Sequence, residues 1–260
     1  MPEGDSIFRV ATALRPLLIG TALTRVVTAG VVRPALAGST TTAVTPLGKH
    51  LMIELDSGWE LRVHLGMNGR WRRYRAPRTA PAGASLVLVT PTDELACLKA
   101  RDVELTARRD PRRARSIAAL GPDVLADDFD PAVAAARARL AGPTPIGVVL
   151  LDQRVAAGIG NVYKSEILWL EEQDPRTPTG QLTDAKLVAL FARGRELMRM
   201  NLGSGPRVTR TGPRGGRTPD DRYWAYNRAR RPCRRCQTAL VTIVQGLQLR
   251  RTYFCPACQR

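Results

Sequence analysis

The sequence predicts a multi-domain protein of the α+β class, in which an N-terminal helix and a β-sandwich precede a helical region and a small cysteine-bearing β-hairpin. Apolar residues recur at helical spacing at the N-terminus, alternate between about residues 21 and 107, and return to helical spacing beyond residue 130. Two Cys-x-x-Cys pairs flank short apolar segments near the C-terminus. The length of 260 residues suits one or two ordinary domains with a small appendage.

The first region is expected to contain one helix followed by a series of strands. Apolar side chains in residues 2–14 lie at i, i+3, i+4 and i+7, and Pro16 is expected to end this helix. Alternating apolar residues at 51–55 and 61–65 flank the turn Asp56-Ser57-Gly58, which predicts a β-hairpin. Further strands are expected at residues 85–90, 94–98 and 103–107.

The region beyond residue 107 is expected to begin with a linker and continue as helices. The Arg-rich residues 108–116 are interpreted as a loop or exposed link. Asp130-Pro131 and Thr144-Pro145 each combine an N-cap residue with a proline that suits the first helical turn. Longer helices are predicted at about 160–172 and 183–203. We therefore expect three domains, at residues 1–124, 125–222 and 223–260.

The four C-terminal cysteines have the spacing of a metal site, with eighteen residues between two Cys-x-x-Cys pairs. Strands at 239–245 and 248–254 around Gly246 would form a hairpin that brings the pairs together. A redox pair is the alternative, although the surrounding βαβ pattern of such motifs is missing. The fifth cysteine, Cys97, is expected to be an inert core thiol. One structural Zn²⁺ is therefore predicted, bound by Cys233, Cys236, Cys255 and Cys258.

The charge of the chain favours a polyanionic partner. Lys and Arg number 40 against 23 Asp and Glu, which gives a formal net charge of +17. No acidic residue follows Asp221, whereas nine arginines lie between residues 222 and 260. Basic side chains gain affinity for nucleic acid because they release counterions from phosphates. The alternative is a biased composition on a solubilising surface.

A membrane or secreted protein is disfavoured by the sequence. No stretch approaches the roughly 20 apolar residues of a membrane helix. Acidic Glu3 and Asp5 occupy the region that is basic in a signal peptide. We expect a cytoplasmic protein.

The N-terminal residues offer a nucleophile. Removal of the initiator methionine would expose the secondary α-amine of Pro2, and an α-amino group has a pKa near 7.7–8.0, so roughly 10–20% of it is neutral at pH 7. A secondary amine that condenses with an aldehyde gives a permanently cationic iminium, which acts as an electron sink. Glu3 would place a carboxyl group beside it for proton transfer. The alternative is that Pro2 only begins a helix.

Gly158-Ile159-Gly160-Asn161 is predicted to open a helix and to bind phosphate there. Small residues allow close approach of the backbone, and the free N–H groups of a helix N-terminus attract anions. On the following helix, Glu166 lies beside the apolar stripe of Tyr163, Ile167 and Leu170, so it could be buried. The alternative is an ordinary surface glutamate.

Together these motifs resemble the formamidopyrimidine-DNA glycosylase and endonuclease VIII family of base-excision repair enzymes, over nearly the whole chain. Each motif is modest alone, but their order along the chain is specific. In order they are Met1-Pro2-Glu3-Gly4-Asp5, Leu47-Gly48-Lys49-His50-Leu51, His64-Leu65-Gly66-Met67, Leu120-Gly121-Pro122-Asp123, Leu151-Asp152-Gln153, residues 158–168, and the four-cysteine tail that ends Tyr253-Phe254-Cys255-Pro256-Ala257-Cys258-Gln259.

The resemblance implies a bifunctional DNA glycosylase and abasic-site lyase. Pro2 matches the family's Schiff-base nucleophile, which attacks C1′ of the damaged nucleotide, and Glu3 matches its acid/base partner. Lys49, one of only four lysines, matches a lysine that contacts phosphate and assists β-elimination. Arg250, five residues before the third tail cysteine, matches the arginine assigned to phosphate binding and δ-elimination. Arg251 is adjacent and is the alternative match.

The resemblance also implies how damaged DNA would be held. Asn161 matches the phosphate-binding asparagine of a helix–two-turns–helix domain, and Glu166 matches a family glutamate near the active site. Met67 lies where family members fill the gap left by the flipped-out base, which must leave the duplex to be reached. Residues 204–221 match the lesion-covering loop. A monomeric bacterial enzyme associated with the nucleoid is expected.

Departures from the family pattern concern lesion choice. Ser6 stands where many endonuclease VIII proteins have a glutamate, and the second void-filling Arg-Phe pair is not evident in residues 105–117. Arg108, Arg109 and Arg112 are the candidates to replace it. The opening residues, residues 224–227 and the Arg-rich composition are most similar to actinobacterial endonuclease VIII proteins, which favours oxidised pyrimidines. The alternatives are 8-oxoguanine specificity and a non-catalytic zinc-finger DNA-binding protein on the same scaffold.

Overall fold

The chain folds into two compact units, Met1–Ala119 and Leu120–Arg260, each with its own hydrophobic core. The computed structural model describes residues 2–75, 78–210, 216 and 218–260. Within these residues no helix is both long enough and apolar enough to cross a membrane. The division into domains at residues 124 and 222 stays a prediction.

The first unit is a β-sandwich with a helix at each end of its sequence. One antiparallel sheet has the strand order β2-β1-β7-β8-β6, and the other has the order β3-β4-β5-β9. The elements are α1 (Gly4–Leu18), β1 (Arg25–Thr28), β2 (Val31–Val32), β3 (Thr41–Leu47), β4 (His50–Leu55), β5 (Trp59–His64), β6 (Arg70–Tyr74), β7 (Leu86–Val89), β8 (Glu94–Leu98), β9 (Asp102–Ala107) and α2 (Pro111–Ala118).

The core of this unit confirms the predicted sandwich. Leu51, Ile53 and Leu55 of β4 are fully buried with Leu86 and Leu88 of β7, which belongs to the other sheet. Cys97 of β8 is also buried there, and burial raises the pKa of its thiol to about 12, as expected of an inert core cysteine. The predicted hairpin forms from β4 and β5, with Leu51 opposite Val63.

Helix α1 is longer than predicted, and the expectation that Pro16 ends it is wrong. The helix continues to Leu18 with Pro16 inside it. Proline in a helix interior costs about 3 kcal/mol. Leu14 and Leu18, four residues apart on one face, are both buried in the core, and each buried leucine contributes roughly 1.5–3 kcal/mol. Burial of the last turn therefore offsets the proline.

The interpretation of residues 108–116 as a loop is also wrong, because most of this segment forms α2. Asp110 is its N-cap, and the carboxylate accepts a hydrogen bond of 2.7 Å from the backbone N–H of Arg112. Pro111 occupies the first helical position. Arg113 donates from Nε to Oε1 of the buried Glu60 on β5 at 2.7 Å, and a second contact joins Nη2 to Oε2. None of the side chains of α2 is fully buried, so this ion pair attaches the helix to the sheet.

The second unit begins with helices packed around an apolar core and ends in a β-hairpin. Predicted helix starts at Pro131 and Asn161 are confirmed, and Thr183 caps α6 as expected. Thr144 makes no side-chain cap for α4, and instead its carbonyl oxygen accepts from Thr179. The elements are α3 (Pro131–Arg139), α4 (Ile146–Val149), α5 (Asn161–Leu170), α6 (Asp184–Arg199), β10 (Val241–Gln245) and β11 (Arg250–Phe254).

Candidate functional site

The N-terminal pair lies directly before α1, which fixes its position. Glu3 is the N-cap residue in extended conformation and is fully buried. Its carbonyl oxygen accepts from the N–H groups of Ser6 and Ile7 at 2.9 and 3.2 Å. Pro2, half-buried, precedes it. The first helical turn therefore anchors the two residues predicted to carry nucleophile and acid/base chemistry.

Lys49 lies in the tight turn between β3 and β4. Leu47 pairs with His50 across this turn, and Gly48 has φ of +56°, which such two-residue hairpin turns require of their first central residue. Since glycine adopts positive φ without steric cost, the sequence Gly48-Lys49 is suited to this place. The turn presents Lys49, half-buried, at the end of the sheet.

Two histidines next to Lys49 are held in their neutral form. His50 and His64 pair across β4 and β5, and their ring centroids are 5.0 Å apart. Burial, followed by the neighbouring His64, Arg62 and Lys49, lowers the pKa of His50 to about 4. Burial and Arg101 lower the pKa of His64 as well. These rings therefore add hydrogen-bonding capacity but no charge at neutral pH.

Met67 projects from the turn that follows β5, with 61% of its surface exposed. Gly66 has φ of +64°, and a Cβ atom at this position would lie 2.8 Å from Cβ of Arg101. The N–H of Arg101 donates to the carbonyl oxygen of His64 at 2.9 Å. Arg101 therefore lies against the Met67 turn, and sequence reasoning did not identify it.

The three arginines considered as replacements for the void-filling Arg-Phe pair do not lie near Met67. In the β5–β9 pairing Asp102 is opposite His64, whereas Ala107 is opposite Trp59 at the far end of β5. Five residues of strand separate these ends by roughly 17 Å. Arg108, Arg109 and Arg112 follow Ala107, so the structure places them at the end of the sheet away from Met67. The register of β5 with β9 identifies Arg101 as the arginine next to the turn that bears Met67. Strand propensity alone does not reveal this register.

Asn161 is the first residue of α5, at the predicted phosphate-binding turn. Its Nδ2 donates to the carbonyl oxygen of Arg251 at 2.9 Å, which joins the helix start to the C-terminal hairpin. Gln153 shapes the turn before it, because its Nε2 donates to Ile159 and its Oε1 accepts from the N–H of Gly158. The helix N-terminus and the adjacent hairpin form a surface suited to anions.

Arg250 and Arg251 begin strand β11 and differ in their surroundings. Arg250 pairs with Gln245, and Arg251 pairs with Val244. Successive side chains of a strand point to opposite faces. Arg250 lines a cavity of about 420 Å³ together with Asp152 and Gln153, while Arg251 is exposed. The structure thus gives the two neighbouring arginines distinct positions.

Glu166 of α5 is completely buried and binds the start of the C-terminal segment. Its Oε1 accepts from the N–H groups of Ala225 and Tyr226 at 2.8 and 2.7 Å, and its Oε2 accepts from the N–H of Trp224 at 2.8 Å. The hydroxyl of Thr209 donates to Oε2. Burial raises the pKa of Glu166, and these hydrogen bonds oppose that shift. Its burial beside the apolar stripe, which the sequence left open, is confirmed.

The residues at the base of the predicted lesion loop converge on the same place. The N–H groups of Thr209 and Arg210 both donate to the carbonyl oxygen of Arg222. Arg210 also pairs with Asp221 at 2.8 Å. Residues 211–215 and 217 of this loop lie outside the described residues. Thr209 and Trp224, which lie on either side of these residues in the sequence, therefore both contact Glu166.

The four tail cysteines form one cluster that could bind a metal ion. Their Sγ atoms all lie within 4.8 Å of one another. Hydrogen bonds from Thr238 lower the pKa of Cys236 to about 6. Burial and the neighbouring sulfur atoms raise the pKa of Cys258 to about 12. Four neighbouring thiols cannot all ionise, because the thiolates would repel one another. A bound thiophilic cation such as Zn²⁺ removes this repulsion, so the four cysteines are a suitable set of metal ligands.

The surroundings of the cluster support a bound cation. Trp169 of α5 donates from Nε1 to Sγ of Cys233 at 3.4 Å. Trp169 stacks on Trp224 with centroids 4.8 Å apart, and Arg235 lies over Trp169 at 4.5 Å. Hydrogen bonds to ligand atoms orient metal sites and tune them. The residues present therefore fit a four-cysteine metal site.

The sequence matches two family profiles over most of its length. The profile described as "Formamidopyrimidine-DNA glycosylase N-terminal domain" matches residues 1–116, and "Formamidopyrimidine-DNA glycosylase H2TH domain" matches residues 120–211. A protein of Streptomyces coelicolor named "Probable endonuclease 8 2" is 37% identical, with 100% of this chain and 94% of the relative covered. A protein of Mycolicibacterium smegmatis named "DNA-(apurinic or apyrimidinic site) lyase Nei2" is 37% identical, with 100% and 99% covered.

Solved structures confirm the predicted fold. The crystal structure of formamidopyrimidine-DNA glycosylase from Lactococcus lactis, bound non-covalently to DNA with an abasic site, superposes with a TM-score of 0.82 at 22% identity over 99% of both chains. A structure of MutM in complex with DNA containing carbocyclic 8-oxo-G gives a TM-score of 0.83 at 23% identity over 100% of both chains. Since the family profiles cover most of the sequence and two relatives at 37% identity align with the whole chain, the chain belongs to the formamidopyrimidine-DNA glycosylase and endonuclease VIII family.

Proposed function

We propose that this chain is a bifunctional DNA glycosylase and abasic-site lyase of base-excision repair, acting on oxidised bases through the α-amine of Pro2. Its family membership carries the proposal. The placement of Pro2 and Glu3 at a fixed helix start supports the chemistry, since a nucleophile and its proton-transfer partner must keep a constant geometry.

The reaction begins with the neutral amine of Pro2. Its lone pair forms a bond to C1′ of the damaged nucleotide as the glycosidic bond breaks, and the departing base takes up a proton. The nitrogen then loses its proton, and the C1′–O4′ bond breaks as O4′ takes up a proton, which opens the sugar ring and forms a C1′=N⁺ iminium. This iminium withdraws electrons from the sugar. Loss of a proton from C2′ then expels the 3′ phosphate, and a second elimination expels the 5′ phosphate. Glu3 moves protons at the sugar, and Lys49 and Arg250 hold the phosphates that leave.

Residues in each of the two units bind DNA. Asn161 and the N–H groups at the start of α5 bind phosphate, and Arg250 and Arg251 bind further phosphates from the hairpin. Met67 enters the duplex where the damaged base has been extruded, with Arg101 beside it. Thr209, Trp224 and Glu166 fix the base of the loop that covers the extruded base.

One Zn²⁺ bound by Cys233, Cys236, Cys255 and Cys258 is the proposed metal. Bound in this way, the ion supplies folding stability rather than chemistry, as closed four-cysteine sites do. The proposal includes a catalytic domain at residues 1–124, a DNA-binding domain at 125–222 and a zinc finger at 223–260. It also includes a monomeric enzyme of the bacterial cytoplasm, associated with the nucleoid.

Borohydride trapping on an oligonucleotide with an abasic site tests the mechanism. We expect the wild-type protein to form a covalent adduct, and a variant with one alanine inserted before Pro2 to form none, because its terminal amine is primary and displaced. Glu3→Gln is expected to reduce base excision by roughly 10²- to 10⁴-fold. A metal-loaded wild-type protein that forms no adduct would overturn the proposal.

Oxidised pyrimidines are the proposed substrates, with 8-oxoguanine as the alternative. A panel of duplexes containing dihydrothymine, 5-hydroxyuracil or 8-oxoguanine separates the two. Faster excision of both pyrimidine lesions supports the proposal, and faster excision of 8-oxoguanine supports the alternative. The structure of MutM in complex with DNA containing carbocyclic 8-oxo-G is the reason to include the purine.

A further inference from the structure

Helix α2 and the residue before its cap carry exposed arginines that the proposed chemistry does not use. Arg109, Arg112 and Arg115 are all exposed, and they define the α2 arginine surface. Within the part of the chain that the structure describes, no carboxylate forms an ion pair with any of the three, whereas the neighbouring Arg108 pairs with Glu54 at 3.3 Å. The α2 arginine surface is therefore positively charged and open to a partner.

Packing within the chain does not account for these arginines. The helix has eight residues, and none of its side chains is buried. Two polar contacts hold its inner side to β5: Arg113 donates to the buried Glu60, and Nη1 of Arg62 donates to Oγ of Ser116 at 2.8 Å. The outward arginines take no part in these contacts, so folding of the first unit does not require them.

The arginines beneath the helix differ from the outward ones because each is neutralised. Arg62 pairs with Glu104 at 2.8 Å, and Arg113 pairs with the fully buried Glu60. The charges between helix and sheet therefore balance. The positive potential of this region comes from the outward face, where it can attract an anionic partner.

Within the first unit, the α2 arginine surface begins at the end of the sheet that is remote from the residues proposed to act on DNA. Ala107, which precedes it, pairs with Trp59 at the start of β5, whereas His64 at the other end of β5 precedes the Met67 turn. Lys49 shares the His64 end, because its neighbour His50 pairs with His64. The strand between these ends spans roughly 17 Å. This basic surface is therefore distinct from the one that bears Lys49 and Met67.

Carboxylates around the α2 arginine surface favour a peptide over a nucleic acid. A cavity of about 640 Å³ beside Arg109 is also lined by Glu54 and Asp56. A second cavity of about 410 Å³ beside Arg112 is also lined by Glu104. A DNA strand has a negative charge on every nucleotide and would bring phosphates against these carboxylates. A peptide can instead place acidic side chains on the arginines and uncharged side chains over the cavities.

We propose that the α2 arginine surface binds an acidic segment of another protein, with aspartate or glutamate side chains on Arg109, Arg112 and Arg115. The inference goes beyond the proposed function, because it adds a protein partner to the first unit. A second copy of this chain is disfavoured as the partner, since a net charge of +17 makes two copies repel each other. Exposed charge pairs mainly raise the rate of association, so the contact is rapid, reversible and sensitive to salt.

Fluorescence anisotropy with a defined peptide tests the proposal. The probe is a fluorescein-labelled peptide of twelve residues in which aspartate and serine alternate, and the matching asparagine–serine peptide is the uncharged control. The protein is first saturated with an unlabelled duplex containing a tetrahydrofuran abasic analogue, so that the basic residues that hold DNA are occupied. The titration is repeated without DNA.

A pair of charge reversals tests the surface itself. The α2 variant is Arg109→Glu with Arg112→Glu, in which both side chains are exposed and the second glutamate lies in the first turn of α2, where an acidic residue favours a helix. The control variant is Arg78→Glu with Arg199→Glu, which removes the same charge from two exposed arginines outside α2.

The expected result, at an ionic strength of about 50 mM where surface charges are weakly screened, is at least tenfold weaker binding of the aspartate peptide by the α2 variant. The control variant should bind it within twofold of the wild type, and the asparagine peptide should not bind. In the wild-type protein the aspartate peptide should also slow hydrogen exchange at the amides of residues 114–118, a measurement that needs no substitution.

Three results would overturn the proposal. One is equal affinity of the wild type and the α2 variant for the aspartate peptide. Another is release of the peptide when DNA saturates the protein, because the peptide would then occupy the DNA site. The third is a tenfold loss of affinity for the duplex in the α2 variant, since the surface would then bind DNA.

Borohydride trapping separates these outcomes from the proposed function. At saturating abasic DNA the α2 variant should be trapped as completely as the wild type, since Pro2 is untouched. Absence of trapping in the wild type would contradict the proposed chemistry, while the peptide titration without DNA would still decide the role of the α2 arginine surface.

Discussion

A single buried carboxylate, Glu166, holds together parts of the second unit that are far apart in sequence. Its two oxygens accept from the backbone at residues 224–226 and from Thr209, so it fixes both the segment around Thr209 and the segment that leads to the cysteine cluster. Buried polar groups of this kind are worth most when every donor is satisfied. The carboxylate is matched to its site because all the surrounding groups are donors.

Glu166→Gln is expected to destabilise the protein by about 1–3 kcal/mol, because the amide NH₂ would face N–H donors and leave them unsatisfied. Chemical denaturation would measure the loss, and hydrogen exchange should show faster exchange at the amides of residues 224–226. Glu172→Gln is the control, since Glu172 is an exposed side chain whose ion pair with Arg235 at 3.0 Å is a surface contact. Equal stability of the two variants would contradict this role for Glu166.

The sequence could predict Glu166 as a candidate but not its partners. Helical spacing places it beside an apolar stripe, whereas its donors lie 43–60 residues further along the chain and follow no local pattern. Arg101 was missed for a related reason. Its place beside Met67 depends on the register of β5 with β9, which tertiary packing determines. The N-terminal and cysteine motifs were recognisable because residue type and spacing along the chain alone encode their chemistry.

The two histidines predict a specific acid sensitivity. His50 has a pKa of about 4 in the folded protein, below its ordinary value of 6.5. Between these values the unfolded chain binds the extra proton, so stability is fully present above pH 6.5 and is lost as the pH falls toward 4. The loss is at most about 3.4 kcal/mol. Denaturation of wild type and His50→Gln at several pH values should show a smaller loss in the variant; identical profiles would contradict the assignment.

At the scale of elements, α2 shows that a helix need not be recognisable from apolar spacing. Its cap, Asp110-Pro111, is of the same kind as Asp130-Pro131, but its arginines suggested a loop. The helix is attached to β5 by the Arg113–Glu60 ion pair instead of by an apolar face. Helix α1 shows the converse, because burial of its last turn carries it past Pro16. In both elements tertiary contacts override the local signal.

Removal of one partner of this ion pair should be costly. Arg113→Leu leaves the fully buried Glu60 without its cation, and we expect a loss of roughly 3–5 kcal/mol. The double variant Glu60→Leu with Arg113→Leu should recover much of it, since apolar side chains of similar volume can replace a buried pair. Urea denaturation would measure both, with the exposed Arg112→Leu as the control. A double variant no more stable than Arg113→Leu would show that the unpaired charge of Glu60 does not cause the loss of stability.

At the scale of the whole molecule, the residues proposed to carry the chemistry are divided between the two units, as the hydrophobic cores are. Pro2, Glu3 and Lys49 belong to Met1–Ala119, whereas Asn161, Arg250 and the cysteine cluster belong to Leu120–Arg260. The tryptophans are divided in the same way, with Trp59 and Trp71 in the first unit. The net charge of +17 suits a protein whose partner is a polyanion. The unfolding of each unit can therefore be followed by the fluorescence of its own two tryptophans.

Metal removal is expected to affect only the second unit. Trp169 donates to Sγ of Cys233 and stacks on Trp224, so their emission should change when a chelator extracts the ion. In a variant with Trp59→Phe and Trp71→Phe, only Trp169 and Trp224 contribute to the tryptophan fluorescence. Its thermal transition should move to lower temperature in chelator, because binding energy at a structural zinc site is folding energy.

The complementary variant, Trp169→Phe with Trp224→Phe, reports only on the sandwich. Its emission and transition should be unchanged by the same chelator, because Trp59 and Trp71 pack in a core that contains no residue of the cysteine cluster. Metal content measured before and after chelation ensures that the ion has left. A shift of the sandwich transition equal to that of the second unit would show that the two cores do not unfold independently. An unchanged signal from Trp169 and Trp224 after complete metal loss would show that the ion does not stabilise the hairpin.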